Sequence, residues 1–172
     1  PYPVYSIFSD TRGRMWIGTK GDGLYVRSHE GVSHYEHNPA NKASLPHNDI
    51  YDVVADRHGR IWVATYGGGL ALAQEGETGL FFYNRNFGLP WSKNSFANIR
   101  RIFCTPTGEI LAGTTDGLIT FGDNFRNPQQ IKFYQTCYIP NDTTSLAAND
   151  VNFIIEHSNG KTYISQLGGI LE

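Results

Sequence analysis

The chain has 172 residues, 40% of them hydrophobic, 13% aromatic and 17% charged, with a formal net charge of -2 and two cysteines. The near-neutral balance excludes a phosphate-binding surface and with it a nucleic-acid partner for this chain. No stretch approaches the roughly 18 consecutive apolar residues of a membrane helix, and no N-terminal stretch has the charged start and apolar centre of a signal peptide.

Read in chain order, the first apolar run is Val4 to Phe8, and the turn Asp10-x-x-Gly13 ends it. A second run, Met15-Trp16-Ile17, leads into a second turn, Gly21-Asp22-Gly23. A third begins at Leu24, and a fourth carries His34-Tyr35. The order then recurs with Ile50 to Val54, Asp56-x-x-Gly59, Ile61-Trp62-Val63, Gly67-Gly68-Gly69, Leu70 and Phe81-Phe82-Tyr83. A third pass runs from Ile99 through Gly108, Ile110-Leu111-Ala112, Asp116-Gly117 and Leu118 to Phe133-Tyr134. A fourth runs from Val151 through Gly160, Thr162-Tyr163-Ile164 and Gly168-Gly169 to Ile170. The turn glycines fall at 13, 59, 108 and 160, so the period is 46, 49 and 52.

Short β-branched and aromatic runs, each closed by a turn signal, read as strands. Asp at the first position of a type I turn accepts backbone N–H bonds, and Gly takes the left-handed position after it. Four antiparallel strands in about 50 residues, repeated with one motif, is the pattern of a β-propeller blade. A β-sandwich would not repeat a single motif four times. The expected fold is all-β: a β-propeller segment of about three and a half four-stranded blades, part of a larger propeller. The repeats span approximately residues 1–47, 48–96, 97–148 and 149–172, the last incomplete. The strands of each repeat are named A to D from the axis outward. The A strands are expected near 4–9, 50–55, 99–104 and 151–156. Trp16 and Trp62 repeat with the strand pattern and are expected in packing within or between blades.

In such a blade the A–B and C–D turns share one face of the disc, and the B–C turns and D–A connections share the other. The second face is the variable one. It would display Lys20, Asp22, Tyr66, Thr115 and Asp116 from B–C turns, and His47, Asn48, Asp49, Asn149 and Asp150 from D–A connections. One D–A connection is longer. Leu45 and Leu146 precede their A-strand aliphatic by five residues, and Leu89 precedes Ile99 by ten. The extra stretch holds Trp91, Lys93 and Asn94. An aromatic ring beside hydrogen-bonding groups on a loop suits a sugar, so Trp91, Lys93 and Asn94 lead the candidate ligand residues, with Tyr66, Lys20, Asp22, Asp116, His47 and Asp49 behind them. The competing reading packs Trp91 over a neighbouring blade or a second propeller.

No catalytic constellation, cofactor motif or metal site is expected. His29, His34 and His37 cluster with Glu30 and Glu36, but positions 34 and 37 of a strand point to opposite faces. The Asp turns hold too few carboxylates for a calcium cage. Cys104 and Cys137 read as small hydrophobes, with a disulfide open if the compartment is oxidising.

The motif V-x-x-I-F-x-D-x-x-G-x-x-W-I-G-T-x-x-x-G-L of the first repeat resembles the two-component regulator propeller repeat. The connections from Asn41 to Ile50, N-x-x-S-L-x-x-N-D-I, and from Asn141 to Val151, N-x-x-x-S-L-x-x-N-D-V, resemble those of hybrid two-component sensors of Bacteroides-type bacteria. The third repeat departs from the motif with Thr105 and Leu111, and the fourth with His157 and Tyr163. The resemblance implies the periplasmic sensor region of an inner-membrane protein, with a membrane span, a histidine kinase and a DNA-binding module elsewhere in the parent. It implies an oligosaccharide ligand and control of polysaccharide-utilisation genes. The segment itself is then not an enzyme. Alternatives are a propeller enzyme of lyase or glycan-cleaving type, drawing on His47, Asp49, Asp116 or Asp150, and a pure interaction scaffold. The expected protein partners are neighbouring blades, a second propeller or a second copy of the chain.

Overall fold

The computed structural model describes residues 2–91, 94–167 and 169–171. Four antiparallel sheets follow one another, each ordered as its strands occur in the chain. The first holds β1 (Val4–Ser9), β2 (Met15–Thr19), β3 (Leu24–Ser28) and β4 (Gly31–Tyr35). The second holds β5 (Ile50–Ala55), β6 (Ile61–Thr65), β7 (Gly69–Gly76) and β8 (Gly79–Tyr83). The third holds β9 (Ile99–Cys104), β10 (Glu109–Thr114), β11 (Gly117–Gly122) and a short β12 (Tyr134–Thr136). The fourth has three strands among the described residues, β13 (Val151–Glu156), β14 (Thr162–Gln166) and β15 (Gly169–Leu171). Two 3-10 turns, Asn94–Ala97 and Pro128–Gln130, interrupt the connections. No helix among the described residues is long and apolar enough to cross a membrane.

The first strands of consecutive sheets pack side by side, β1 on β5, β5 on β9 and β9 on β13, which places them at the axis. These are blades of a β-propeller, and the four axial strands occupy the residues expected of them. The second strand of each blade packs on the first strand of the next. One buried cluster therefore joins blades 1 and 2 around Trp16, Leu24, Ile50 and Val53. A second joins blades 2 and 3 around Trp62, Leu70, Ile99 and Ile102, and a third joins blades 3 and 4 around Leu111, Val151 and Ile154. Both tryptophans are fully buried, as the repeat pattern requires.

The chemistry of the repeated D-x-x-G-R-x-W motif lies in one carboxylate. Asp56 Oδ1 accepts the backbone N–H groups of His58 (2.9 Å) and Arg60 (3.1 Å), closing the turn. Its Oδ2 accepts Arg60 Nε (2.6 Å) and Trp62 Nε1 (3.1 Å). Asp10 repeats the set on Arg12, Arg14 and Trp16. Gly13 and Gly59 take φ of +76° and +74°, where a side chain would be strained. The arginine then reaches the next blade. Arg14 Nη1 lies 2.7 Å from Glu75, and Arg60 donates to the carbonyls of Asp123 and Phe125. Arg57 adds a two-pronged bond to the buried Asp123 carboxylate at 2.7 and 2.9 Å. Each motif thus closes its own turn, fixes a buried indole and ties one blade to its successor. In blade 3, Thr105 serves the turn alone, accepting Glu109 N (2.9 Å) and pairing with the Thr107 hydroxyl (2.9 Å). Leu111 at the Trp position has no N–H to satisfy.

Two outcomes are expected. Asp56→Ala removes the acceptor of a buried indole N–H and one of those of a half-buried guanidinium, and should cost about 3 kcal/mol in urea unfolding. An unchanged midpoint would contradict this role. The second concerns acid. The Arg57 bond, opposed by burial, holds the Asp123 carboxyl below its ordinary range. A depressed carboxylate contributes stability that is complete above its unfolded-state pKa of about 3.9 and drains away as pH falls through the folded value. Thermal melts from pH 6 down to pH 2 should therefore decline less steeply for Asp123→Asn than for the wild type.

Candidate functional site

The innermost strand of every blade carries a β-bulge at the same place. The ladder slips between Val4 and Ser6, between Ile50 and Asp52, opposite Gly113 and Thr114, and between Val151 and Phe153. The extra residues are Tyr5, Tyr51, Arg100 and Asn152. A bulge leaves its extra residue out of the ladder and re-aims it. Here the four lie beside the axis, at the strand ends nearest the B–C turns.

The same end of the disc is held together by main-chain bonds between B–C turns and the segments that enter the A strands. Lys20 N donates to Pro3 O (2.9 Å), Tyr66 N to Asp49 O (2.9 Å), Thr115 N to Asn98 O (3.2 Å) and Leu167 N to Asp150 O (3.3 Å). The two kinds of loop therefore share one face, as the strand order demands.

On this face the bulged residues gather partners. Tyr5 meets Tyr51 edge-on at 4.9 Å, and Tyr51 stacks on Tyr66 at 4.9 Å. Arg100 lies 5.5 Å over the Tyr66 ring and makes a two-pronged bond to Asp150 at 2.8 and 3.2 Å. Lys20 Nζ lies 5.9 Å over Tyr5. Burial, reinforced by Tyr5, pushes the Tyr51 phenol above its usual value, so the group stays a neutral hydrogen-bonding partner. The Asp150 bond, against burial, raises Arg100, which stays charged. The result is a row of phenol rings ending in a held guanidinium–carboxylate pair. It can offer a ring face, donors and acceptors to a hydroxyl-rich ligand.

In the first two blades the residue after the bulge works for the scaffold instead. Ser6 Oγ accepts Val53 N (3.1 Å), and Asp52 Oδ2 accepts Ile102 N (2.9 Å), each reaching the next blade. Burial pushes the Asp52 carboxyl up, although Arg101 at 3.3 Å opposes it.

Of the residues singled out from the sequence, Lys20, Tyr66 and Asp150 join this cluster, and Asp49 borders it through its carbonyl bond to Tyr66 N. His47 braces the adjoining connection by accepting Asp49 N at 3.0 Å. Asp22 lies further out on blade 1, accepting the Tyr25 hydroxyl at 2.6 Å. Asp116 is on blade 3, where its carbonyl accepts Gln135 Nε2 at 2.8 Å.

Trp91 is corrected. It is 2% exposed and belongs to the core between blades 2 and 3. Its indole N–H donates to Phe96 O (3.0 Å), and its ring meets Phe133 edge-on at 4.9 Å. Only glycine fits at position 69 beneath it, since a Cβ there would clash with the indole. The longer connection thus brings an indole into the core beside the short strand β12, rather than offering a ring to solvent. Asn94 opens the 3-10 turn that follows, and Lys93 lies outside the described residues.

Tyr5, Tyr51, Arg100 and Asn152 were missed. The signal was available as the residue directly after the first A-strand aliphatic of every repeat. Strict strand alternation does not reveal that a bulge releases it.

One group among the described residues has metal-ligand geometry. Asp22, His34 and Glu36 offer ligand atoms within 4.8 Å of one another. Their present partners are protein groups: His34 Nε2 lies 2.6 Å from the Asp22 carbonyl, and the His34 ring stacks on Tyr25. Cys104 and Cys137 are not joined in a disulfide. Cys104 ends β9 at the A–B face, whereas Cys137 Sγ approaches the Asp116 carbonyl (3.7 Å) at the B–C face, so they sit at opposite ends of blade 3.

The two component regulator propeller family model matches residues 1–21 and 44–67, covering the A and B strands that open the first two blades. None of the curated proteins matches the sequence. Among solved structures, the chain resembles the extracellular domain of a protein described as a hybrid two component system of B. thetaiotaomicron. The identity is 24% and the TM-score 0.69, over 98% of this chain and 21% of that one. PorZ of Porphyromonas gingivalis gives 14% identity and a TM-score of 0.67, over 98% and 24%. Virginiamycin B lyase of Staphylococcus aureus gives 18% and 0.57, over 94% and 48%. These likenesses establish the propeller fold. The chain spans about a fifth of the length of that B. thetaiotaomicron extracellular domain.

A test of the Trp91 assignment follows. Trp91→Ala should lower stability by about 3–5 kcal/mol, the cost of emptying a buried indole site. A surface ligand residue would instead leave the unfolding midpoint in place.

Proposed function

We propose that this chain is a ligand-sensing segment of the extracytoplasmic, periplasmic region of a hybrid two-component sensor, and that the ligand is an oligosaccharide. The observation that carries the reading is the set of aligned bulges, which direct Tyr5, Tyr51, Arg100 and Asn152 to one face of an otherwise repetitive scaffold. A packing motif repeats, but these four positions change from a tyrosine in blades 1 and 2 to Arg100 and Asn152 in blades 3 and 4, as contacts shaped to a ligand would. The match to the regulator propeller repeat supports the sensor class. On this reading the ligand binds at the axial mouth. A kinase and a DNA-binding module elsewhere in the parent convert occupancy into transcription of polysaccharide-utilisation genes. The segment binds and transmits, and performs no chemistry.

Isothermal titration against a panel of plant and host oligosaccharides tests this. One panel member should bind. Arg100→Ala and Tyr5→Ala should each weaken it by tenfold or more, about 1.4 kcal/mol, with little change in melting temperature because both side chains are partly exposed. Undiminished affinity in both variants would remove the mouth as the site. Turnover of the sugar would favour the enzyme instead.

A further inference from the structure

Blade 1 gathers three metal-ligating side chains on its outer half. Asp22 sits in the B–C turn, His34 in β4, and Glu36 directly after β4. Each offers one ligand atom, and the three atoms lie within 4.8 Å of one another. Residues two apart on a strand share a face, so His34 pairs with Glu36 rather than with His37. A tetrahedral zinc ion holds its ligand atoms about 3.4 Å apart. His34 and Glu36 are exposed and Asp22 is half-buried, so small side-chain rotations close the remaining gap.

Two of the three side chains are held by one neighbour. The Tyr25 hydroxyl donates to Asp22 Oδ2 at 2.6 Å, and the Tyr25 ring stacks on the His34 imidazole at 4.1 Å and 5°. Outer partners of this kind orient the ligands of a metal site. The turn that carries Asp22 is itself pinned. Gly23 takes a φ of +70°, its N–H donates to Asn48 O at 2.9 Å, and a Cβ there would clash with the Tyr35 carbonyl.

Blade 3 shows which part of this arrangement is scaffold. Its strand pairing places Asp116, Gln135 and Cys137 where blade 1 has Asp22, His34 and Glu36. There Gln135 Nε2 donates to Asp116 O at 2.8 Å, as His34 Nε2 meets Asp22 O at 2.6 Å. An amide therefore suffices to tie the outer strand to the turn. Blade 1 has an imidazole in its place, Tyr25 where blade 3 has Ile119, and a second carboxylate at Glu36. The tie needs none of these three, and all of them suit a cation.

The donor set selects the ion. An imidazole nitrogen with two carboxylate oxygens matches zinc, which takes four ligands and accepts a water in the last position. Calcium takes about six to eight oxygens and has too few here. We propose that Asp22, His34 and Glu36 bind one zinc ion, which clamps the B–C turn of blade 1 to its outer strand.

Isothermal titration of zinc chloride into the metal-stripped protein tests this, with calcium chloride as the control. One zinc should bind per chain, and calcium should give no heat. His34→Gln should abolish zinc binding yet keep the metal-free melting temperature, because Gln135 makes the same tie in blade 3. Glu36→Gln, at an exposed position, should weaken zinc binding tenfold or more. Tyr25→Phe keeps the stacked ring and loses the bond to Asp22, so it should weaken zinc binding about tenfold to a hundredfold. Zinc should raise the melting temperature of the wild type and leave that of His34→Gln unchanged. A wild type that binds no zinc, or zinc held as tightly by His34→Gln or by Glu36→Gln as by the wild type, would overturn the proposal.

Discussion

A single buried carboxylate organises this fold. Asp56, and Asp10 before it, uses one oxygen to close a turn and the other to hold an arginine and an indole. The turn positions the second strand, the indole fills the junction, and the arginine carries the connection to the next blade. The carboxylate is desolvated, and desolvation of a charge is costly unless its hydrogen-bonding capacity is met. Four donors converge on Asp56, so the arrangement is stable only when strand, turn and neighbouring blade are all in place. That coupling makes one short motif sufficient to specify a blade and its docking at once. It also explains the drift in the third repeat. Leu111 has no N–H to satisfy, so Thr105 needs to serve only the turn.

The axial strands divide their labour within two residues. The bulged position faces the mouth and is free to vary, as Tyr, Tyr, Arg and Asn. In blades 1 and 2 the next position reaches across the junction, as Ser6 to Val53 and Asp52 to Ile102. The proposed binding residues and the stabilising residues are thus adjacent in sequence but face different surroundings. On that reading, substitution at Tyr5 or Tyr51 would change ligand contacts while Ser6 and Asp52 keep the blades joined, whereas Arg100 also ties blade 3 to Asp150 at the entry to blade 4. In the same way, the longer connection through Trp91 belongs to stability, since its indole packs in the core beside a three-residue strand, β12.

Much of this was legible in the sequence. The spacing from axial aliphatic to turn glycine located all four A strands, and the repeated Trp16 and Trp62 announced their burial. The strand order alone put Lys20, Tyr66 and Asp49 on one face. Two features were not legible. A bulge breaks the two-residue alternation on which facing arguments rest, so Tyr5 and Tyr51 read as ordinary strand residues. An aromatic in a polar insertion can serve a ligand or a core, and the sequence around Trp91 fits both. The deciding facts, a short β12 and the tight approach to Gly69, depend on residues distant in the chain.

The central claim is that ligand contact is concentrated at the four bulges. Hydrogen–deuterium exchange with and without a bound oligosaccharide tests it directly, because each bulge and its adjoining B–C turn yield distinct peptides. The account predicts ligand-dependent protection in peptides spanning the bulges at Tyr5, Tyr51, Arg100 and Asn152 and the adjoining turn at Tyr66, and none across the connection containing Trp91. Protection confined to that connection, or to the A–B face around Asp10 and Asp56, would contradict it.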